Sequence, residues 1–121
     1  MFSLKDQVAI VTGGANGIGK GIATVLAKAG AQVVIADIDI EAGQSTAEKL
    51  GATFAALDVT DKAACQRVVD TVLERYGRLD ILCSTTGIFP QAALDVMTTE
   101  NWDQMMDVNL RSTFFMVQAV L

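Results

Sequence analysis

The sequence predicts an α/β fold in which a parallel sheet carries helices on both faces, and three observations predict it. Short β-rich apolar runs recur at Val8–Thr12 and at residues 33–37, 53–57 and 80–84. Each has the length and composition of a strand buried on both faces. Between them lie stretches with apolar residues at helical spacing, and the first three of these stop at a glycine, the residue that best accepts a left-handed helix end. Finally, a glycine-rich turn, TGGANGIG at residues 12–19, joins the first strand to the first helix.

The first helix carries Ile18, Ile22, Val25, Leu26 and Ala29 on one stripe, expected to face the sheet, and stops at Gly30. A second runs from about Asp39 to Gly51. The third begins near Asp61, beside Thr60, shows Ala64, Val68, Val72 and Tyr76 at i, i+4 spacing, and ends at Gly77. A fourth opens near Thr99 and runs towards the last residue. Its stripe of Trp102, Met105, Met106, Leu110, Phe114, Val117 and Leu121 reads as core or helix-partner surface, and Asn109 falls within it. A buried amide without partners costs about 1–3 kcal/mol, so Asn109 is expected to be engaged. No repeat or Pro/Ser-rich linker divides the chain. Residues 1–121 therefore read as one βαβαβαβα unit, a doubly wound sheet of Rossmann type. Right-handed crossovers give the strand order 3-2-1-4, with a switch point between strands 1 and 4 where such sheets bind ligands.

Composition narrows the partners. A formal charge of −5 argues against nucleic acid and against anionic membrane surfaces, both of which require a basic face. No stretch approaches the roughly 20 apolar residues that span a bilayer, and the opening residues lack a signal-peptide h-region, so a cytoplasmic protein is expected. With no histidine, the chain has no His-dependent nucleophile pair and no zinc site of the usual kind, and no metal is expected. Cys65 and Cys83 read as buried free thiols.

A phosphate-binding turn needs backbone N–H groups aimed at the anion, no intervening side chain, and a helix N-terminus behind. Residues 12–19 offer all three: Gly13 for the tight turn, Gly17 for close approach of a pyrophosphate, and Gly19 for packing of the new helix. An ordinary strand-to-helix glycine turn is the plainer alternative. The P-loop pattern fits Gly14, Gly19 and Lys20 but then meets Gly21 where a hydroxyl for magnesium is required. The six-residue pattern G-x-G-x-x-G fails at Ile22, whereas the wider T-G-x-x-x-G-x-G fits Thr12, Gly13, Gly17 and Gly19. Some twenty residues past Gly17, Asp37 ends strand 2, where a carboxylate can accept a ribose diol and repel a 2′-phosphate; NAD is favoured over NADP. Asp39 is the better placed of the two to cap the next helix. Asp58 and Val59 close strand 3 in the equivalent position and can meet an adenine edge.

Taken in order, these motifs resemble the N-terminal half of the short-chain dehydrogenases/reductases, from Gln7–Gly14 through Asp58-Val59-Thr60 and the segment from Tyr76 to Leu82 to Asn109-Leu110. The resemblance implies that Gly13, Asn16, Gly17, Ile18 and Gly19 line the pyrophosphate, Asp37 and Ile38 the adenosine ribose, and Asp58 and Val59 the adenine. It also places Ser84, Thr86 and Gly87 beside the nicotinamide ribose. In the family Asn109 would bend its helix and hold a water in a proton relay; a purely structural amide is the alternative. Where the family reads Asn-Asn-Ala-Gly, this chain reads Ser84-Thr85-Thr86-Gly87, whose shorter side chains predict a weaker grip on the cofactor.

The resemblance further implies hydride transfer between nicotinamide and an alcohol or carbonyl, served by a serine and a Tyr-x-x-x-Lys pair. The one tyrosine is Tyr76, and position 80 is Asp80, so the chain holds no such pair. It is accordingly expected to be an incomplete, NAD-binding half that is inactive alone. The alternative is a non-catalytic fold that forms homo-oligomers through its last helix and an exposed strand edge, with residual nucleotide binding. Residues 88–97 are expected to form one wall of the substrate pocket.

Overall fold

The computed structural model describes residues 3–88 and 92–121. Four parallel strands, β1 (Val8–Thr12), β2 (Gln32–Asp37), β3 (Thr53–Ala56) and β4 (Ile81–Ser84), form one sheet in the order β3-β2-β1-β4. The helices are α1 (Gly17–Lys28), α2 (Ile40–Leu50), α3 (Lys62–Tyr76), α4 (Thr99–Met106) and α5 (Ser112–Val120), with a π turn at Asp107–Arg111 between the last two. Strand order and alternation are those the sequence predicts.

Alternate residues of each strand feed two cores, one per face. Val11, Val33 and Ile35 meet Ala23 of α1 and Ala47 of α2. Ile10, Val34 and Ala36 meet Val68, Val69 and Val72 of α3 and Phe115 and Met116 of α5. Burying a side chain such as Ile10 contributes about 1.5–3 kcal/mol, which makes β1 and β2 the stable centre of the sheet. β1 is buried throughout, but β3 and β4 are only half-buried, because each has a neighbour on one side alone; burial on both faces holds for the two inner strands only.

The expected α1 stripe is corrected, and so, of the two readings of the last helix's stripe, is the core reading. In α1, Gly19 and Ala23 face the sheet, while Ile18 and Val25 are 81% and 65% exposed. Small residues four apart let the helix approach closely, and the bulky ones flank the contact. In the last helix, the π turn inserts an extra residue into the ladder, so Ser112, Phe115 and Met116 turn inward and Leu110, Phe114 and Val117 stay exposed. Of the two free thiols, Cys65 is fully buried but Cys83 is only partly so; desolvation raises the pKa of both.

Helix ends follow local chemistry. Asp39 caps α2 by accepting from the Ala42 N–H (3.1 Å), and Asp61 caps α3 through Ala64 (3.1 Å). Thr98 and Asn101 form a reciprocal capping box on α4. Gly51 and Gly77 close α2 and α3 at φ +66° and +75°.

Candidate functional site

All helices that follow strands directly begin at the C-terminal edge of the sheet, and α1 differs from the rest. Its N-cap, Asn16, makes no side-chain bond to the helix, whereas Asp39 and Asp61 cap α2 and α3. The first accounted amide is Lys20, donating to the Asn16 carbonyl at 3.2 Å. The N–H groups of Gly17, Ile18 and Gly19 precede any intrahelical acceptor and carry the positive end of the helix dipole.

The turn before them is shaped for access. Gly13 has φ +68° and donates to the Ala36 carbonyl at 2.9 Å. A Cβ there would come 3.0 Å from both Thr85 Oγ1 and the Thr86 nitrogen. Gly17 is left-handed (φ +57°) with nothing within 4 Å of a Cβ position, so open space lies over the helix start. At Gly19 a Cβ would collide with the Gly13 carbonyl and Thr85 Oγ1, so this glycine packs helix against turn.

Asp37 stands against this turn. Its Oδ2 accepts from the Ala15 N–H at 3.1 Å, and its Oδ1 from the Asp39 N–H at 3.0 Å. A carboxylate offers about four acceptor positions, so about two remain for a vicinal diol. At the end of β3, Asp58 Oδ1 accepts from both the Thr60 N–H (3.0 Å) and the Thr60 hydroxyl (2.6 Å). These bonds to the charged form hold the Asp58 pKa below its ordinary value.

After β4 the chain crosses behind the glycine turn. Thr85 donates its N–H to Thr12 Oγ1 (3.2 Å) and its hydroxyl to the Thr12 carbonyl (2.6 Å). Asn109 accepts the Ile88 N–H at 2.7 Å and donates to the Ile88 carbonyl at 2.8 Å. It sits in the middle of the π turn, where the Ser112 hydroxyl also bonds the Val108 carbonyl. Gly87 fits beneath it: a Cβ there would lie 3.2 Å from Asn109 Oδ1.

These pieces enclose a cleft of about 890 Å³ at the switch point. It gathers Gly13, Asn16 and Gly17 from the turn, Asp37 and Ile38 at the end of β2 and just past it, Asp58 and Val59 after β3, and Thr86 and Gly87 after β4. Ile18, Gly19, Ser84 and Asn109 are not among its lining residues. Gly19 lies beneath the turn, Ser84 reaches Thr113 of α5 (3.3 Å between hydroxyl oxygens), and Asn109 acts through Ile88. Thr85 was not singled out from sequence, yet it lines the cleft and locks the turn; its partner lies 73 positions away. The wall from α4 and the π turn, with Glu100, Asp103 and Asp107, was also missed. Of the expected wall at residues 88–97, Ile88 lines the cleft, while Phe89, Pro90 and Gln91 lie outside the described residues.

The cleft's charge is one-sided: its lining includes Asp37, Asp58, Glu100, Asp103 and Asp107, and no lysine or arginine among the described residues. An anion held here depends on backbone amides. Among the described residues no group of acidic or sulfur ligands could hold a metal ion, and no helix is long and apolar enough to cross a membrane.

Strand order 3-2-1-4 with a glycine turn feeding an uncapped helix at the switch point defines a Rossmann-type fold. The chain belongs to the short chain dehydrogenase family, whose family model matches residues 7–121. It is 41% identical over 119 residues to a sorbitol dehydrogenase of Cereibacter sphaeroides, covering 97% of this chain and 46% of that protein. It is 42% identical over 119 residues to a galactitol 2-dehydrogenase of Agrobacterium fabrum (strain C58 / ATCC 33970), with the same coverage. A crystal structure of gox2181 superposes with a TM-score of 0.94 at 39% identity, covering 98% of this chain and 48% of that one. The chain thus spans about half the length of the curated relatives it matches.

Proposed function

We propose that this chain is the NAD-binding part of an oxidoreductase that moves hydride between nicotinamide and an alcohol or carbonyl substrate. The observation that carries the reading is a single cleft where an uncapped helix N-terminus adjoins a carboxylate with acceptor positions to spare. The amides of Gly17, Ile18 and Gly19 would receive the pyrophosphate, and Asp37 with Ile38 the adenosine ribose. Asp58 and Val59 would border the adenine, and Thr86 and Gly87 the nicotinamide ribose, with Ser84 tying that segment to α5. The acidic lining supports NAD over NADP, since a 2′-phosphate would meet Asp37 with no cation to offset it.

The bound nicotinamide would supply the hydride acceptor or donor. Asn109 holds the Ile88 backbone at both ends, and its part in the reaction is to fix the segment after β4. Tyr76 has no part in it: its hydroxyl bonds Thr53 Oγ1 at 2.6 Å, and it lies outside the cleft lining. A serine and a Tyr-x-x-x-Lys pair would have to come from beyond these residues, so the chain alone should bind cofactor without turnover. The dehydrogenase names of two relatives support an alcohol or carbonyl substrate. Titration of the chain with NADH, followed by fluorescence, should show saturable binding that ADP-ribose displaces, with NADPH at least about tenfold weaker. No saturable signal at millimolar NADH would remove the reading.

A second reading concerns assembly. Leu110, Phe114, Val117 and Leu121 form an exposed apolar stripe at i, i+4, i+7, i+11, and among the described residues β4 is an edge strand of the sheet. Both support a homo-oligomer joined through the last helix and that edge. Sedimentation should show a dimer or larger species; a monomer at tens of micromolar would contradict it.

A further inference from the structure

We propose that Thr46 is a positioning residue for the cleft: through the Ala15 backbone its buried hydroxyl holds the glycine turn in register with Asp37, so that turn amides and carboxylate act as one unit. This rests on the cofactor reading above. Mid-helix threonines ordinarily return their hydroxyl to the carbonyl four residues back. Two threonines of this chain do so, Thr24 to Lys20 (2.7 Å) and Thr71 to Arg67 (2.8 Å). Thr46 does not. Its hydroxyl leaves α2 and donates to the Ala15 carbonyl, 31 positions away, at 2.9 Å.

The bond closes a ring. The Ala15 N–H donates to Asp37 Oδ2, Asp37 Oδ1 accepts from the Asp39 N–H, Asp39 caps α2, and α2 carries Thr46 back to the Ala15 carbonyl. The two peptide units that meet at Ala15 are therefore both set, the Gly14–Ala15 unit by the proposed ribose ligand and the Ala15–Asn16 unit by a helix that otherwise lies outside the cleft. Ala15 and Thr46 are 1% and 4% exposed, so water does not substitute easily for either bond. Rotating the Ala15–Asn16 peptide would shift Asn16 and Gly17, which line the cleft, and, through the Ala15 Cα, would loosen the neighbouring Gly14–Ala15 peptide, whose N–H is one of the two donors orienting Asp37. Thr46 touches none of the lining atoms directly assigned to cofactor; its influence passes through Ala15.

The test uses Thr46→Val, which keeps shape and removes the hydroxyl, and Thr46→Ser, which keeps the hydroxyl. In the ligand-free full chain, amide hydrogen exchange at Ala15 should speed up about fivefold or more in Thr46→Val, while the Ala64 amide at the α3 cap stays unchanged. The dissociation constant for NAD should rise about fivefold in the same variant, and Thr46→Ser should restore both quantities to within about twofold. Unchanged exchange at Ala15, or an equal acceleration at Ala64, would overturn the proposal in favour of a general packing role. Faster exchange at Ala15 with unaltered NAD affinity would equally overturn it. If the unsubstituted chain binds no NAD, the cofactor reading fails and the positioning role with it, but the response at Ala15 still reports the clamp.

Discussion

The starts of α1 and α3 face the same edge of the sheet and carry the same dipole, yet they are finished in opposite ways. At α3 the chain completes itself: Asp61 caps the Ala64 amide, and the preceding Asp58–Thr60 turn is closed by two hydrogen bonds. At α1 the cap side chain gives nothing to the helix, and three glycines keep side chains away from the turn. Helices two strands apart thus show an N-terminus that the chain's own side chain caps and one that it leaves open, as the proposed pyrophosphate would require.

The largest expected break in that contrast is Gly19→Ala. The added methyl overlaps the Gly13 carbonyl, and relieving it must displace the turn. At the upper end of overpacking costs, about 3 kcal/mol, NAD affinity should fall roughly a hundredfold by calorimetry. Asp37→Ala comes next. Loss of a charged acceptor is worth about 1.5–3 kcal/mol, so NAD should bind about ten- to a hundredfold more weakly, with a smaller loss for NADP because repulsion of its 2′-phosphate also disappears. Smaller still is the reciprocal exchange of caps. Asp61→Ala should cost about 1 kcal/mol in urea denaturation and leave NAD affinity alone. Asn16→Asp should stabilise the chain by up to about 1 kcal/mol while weakening NAD several-fold. If Asp61→Ala weakened NAD as strongly as Asp37→Ala, the contrast between the two ends would be wrong.

The smallest effect is in pH. Thr60 holds the Asp58 carboxyl below its ordinary value of 3.8. A depressed folded-state pKa gives stability that is present above the unfolded value and is lost as pH falls through the folded one. Asp58 is exposed, so the contribution is screened and small. Urea midpoints measured from pH 6 downwards should show slightly less loss below about pH 4 in Asp58→Asn than in the parent chain.

Much of this was legible in the residues. Caps and stops such as Asp39, Gly51 and Gly77 obey rules that act within four residues, and the strand order follows from handedness. The cleft was legible where one segment supplies it, as with Gly13 and Gly17, or where a fixed motif spacing does, as with Asp37. Features that need two distant segments were not. Thr85 looked like a shortened asparagine; its hydroxyl reaches Thr12 because β4 pairs with β1, bringing residues 73 apart together. Ile18 and Val25 carried the apolar signal in α1, but Gly19 and Ala23 make the contact, since close approach rewards small side chains. The stripe through Leu110, Phe114 and Val117 reads as core only if its 3.6-residue period is unbroken, and the π turn interrupts it and leaves that face exposed.

That interruption also sets a limit on how the chain can tolerate deletion. One residue fewer between 107 and 111 would restore an ordinary ladder and rotate α5 by about 100° relative to α4. Either Phe115 and Met116 would swing out from against α3, or Glu100 and Asp103 would swing away from the cleft. The surplus residue works as a universal joint, letting one rod answer to two neighbours that demand different angles.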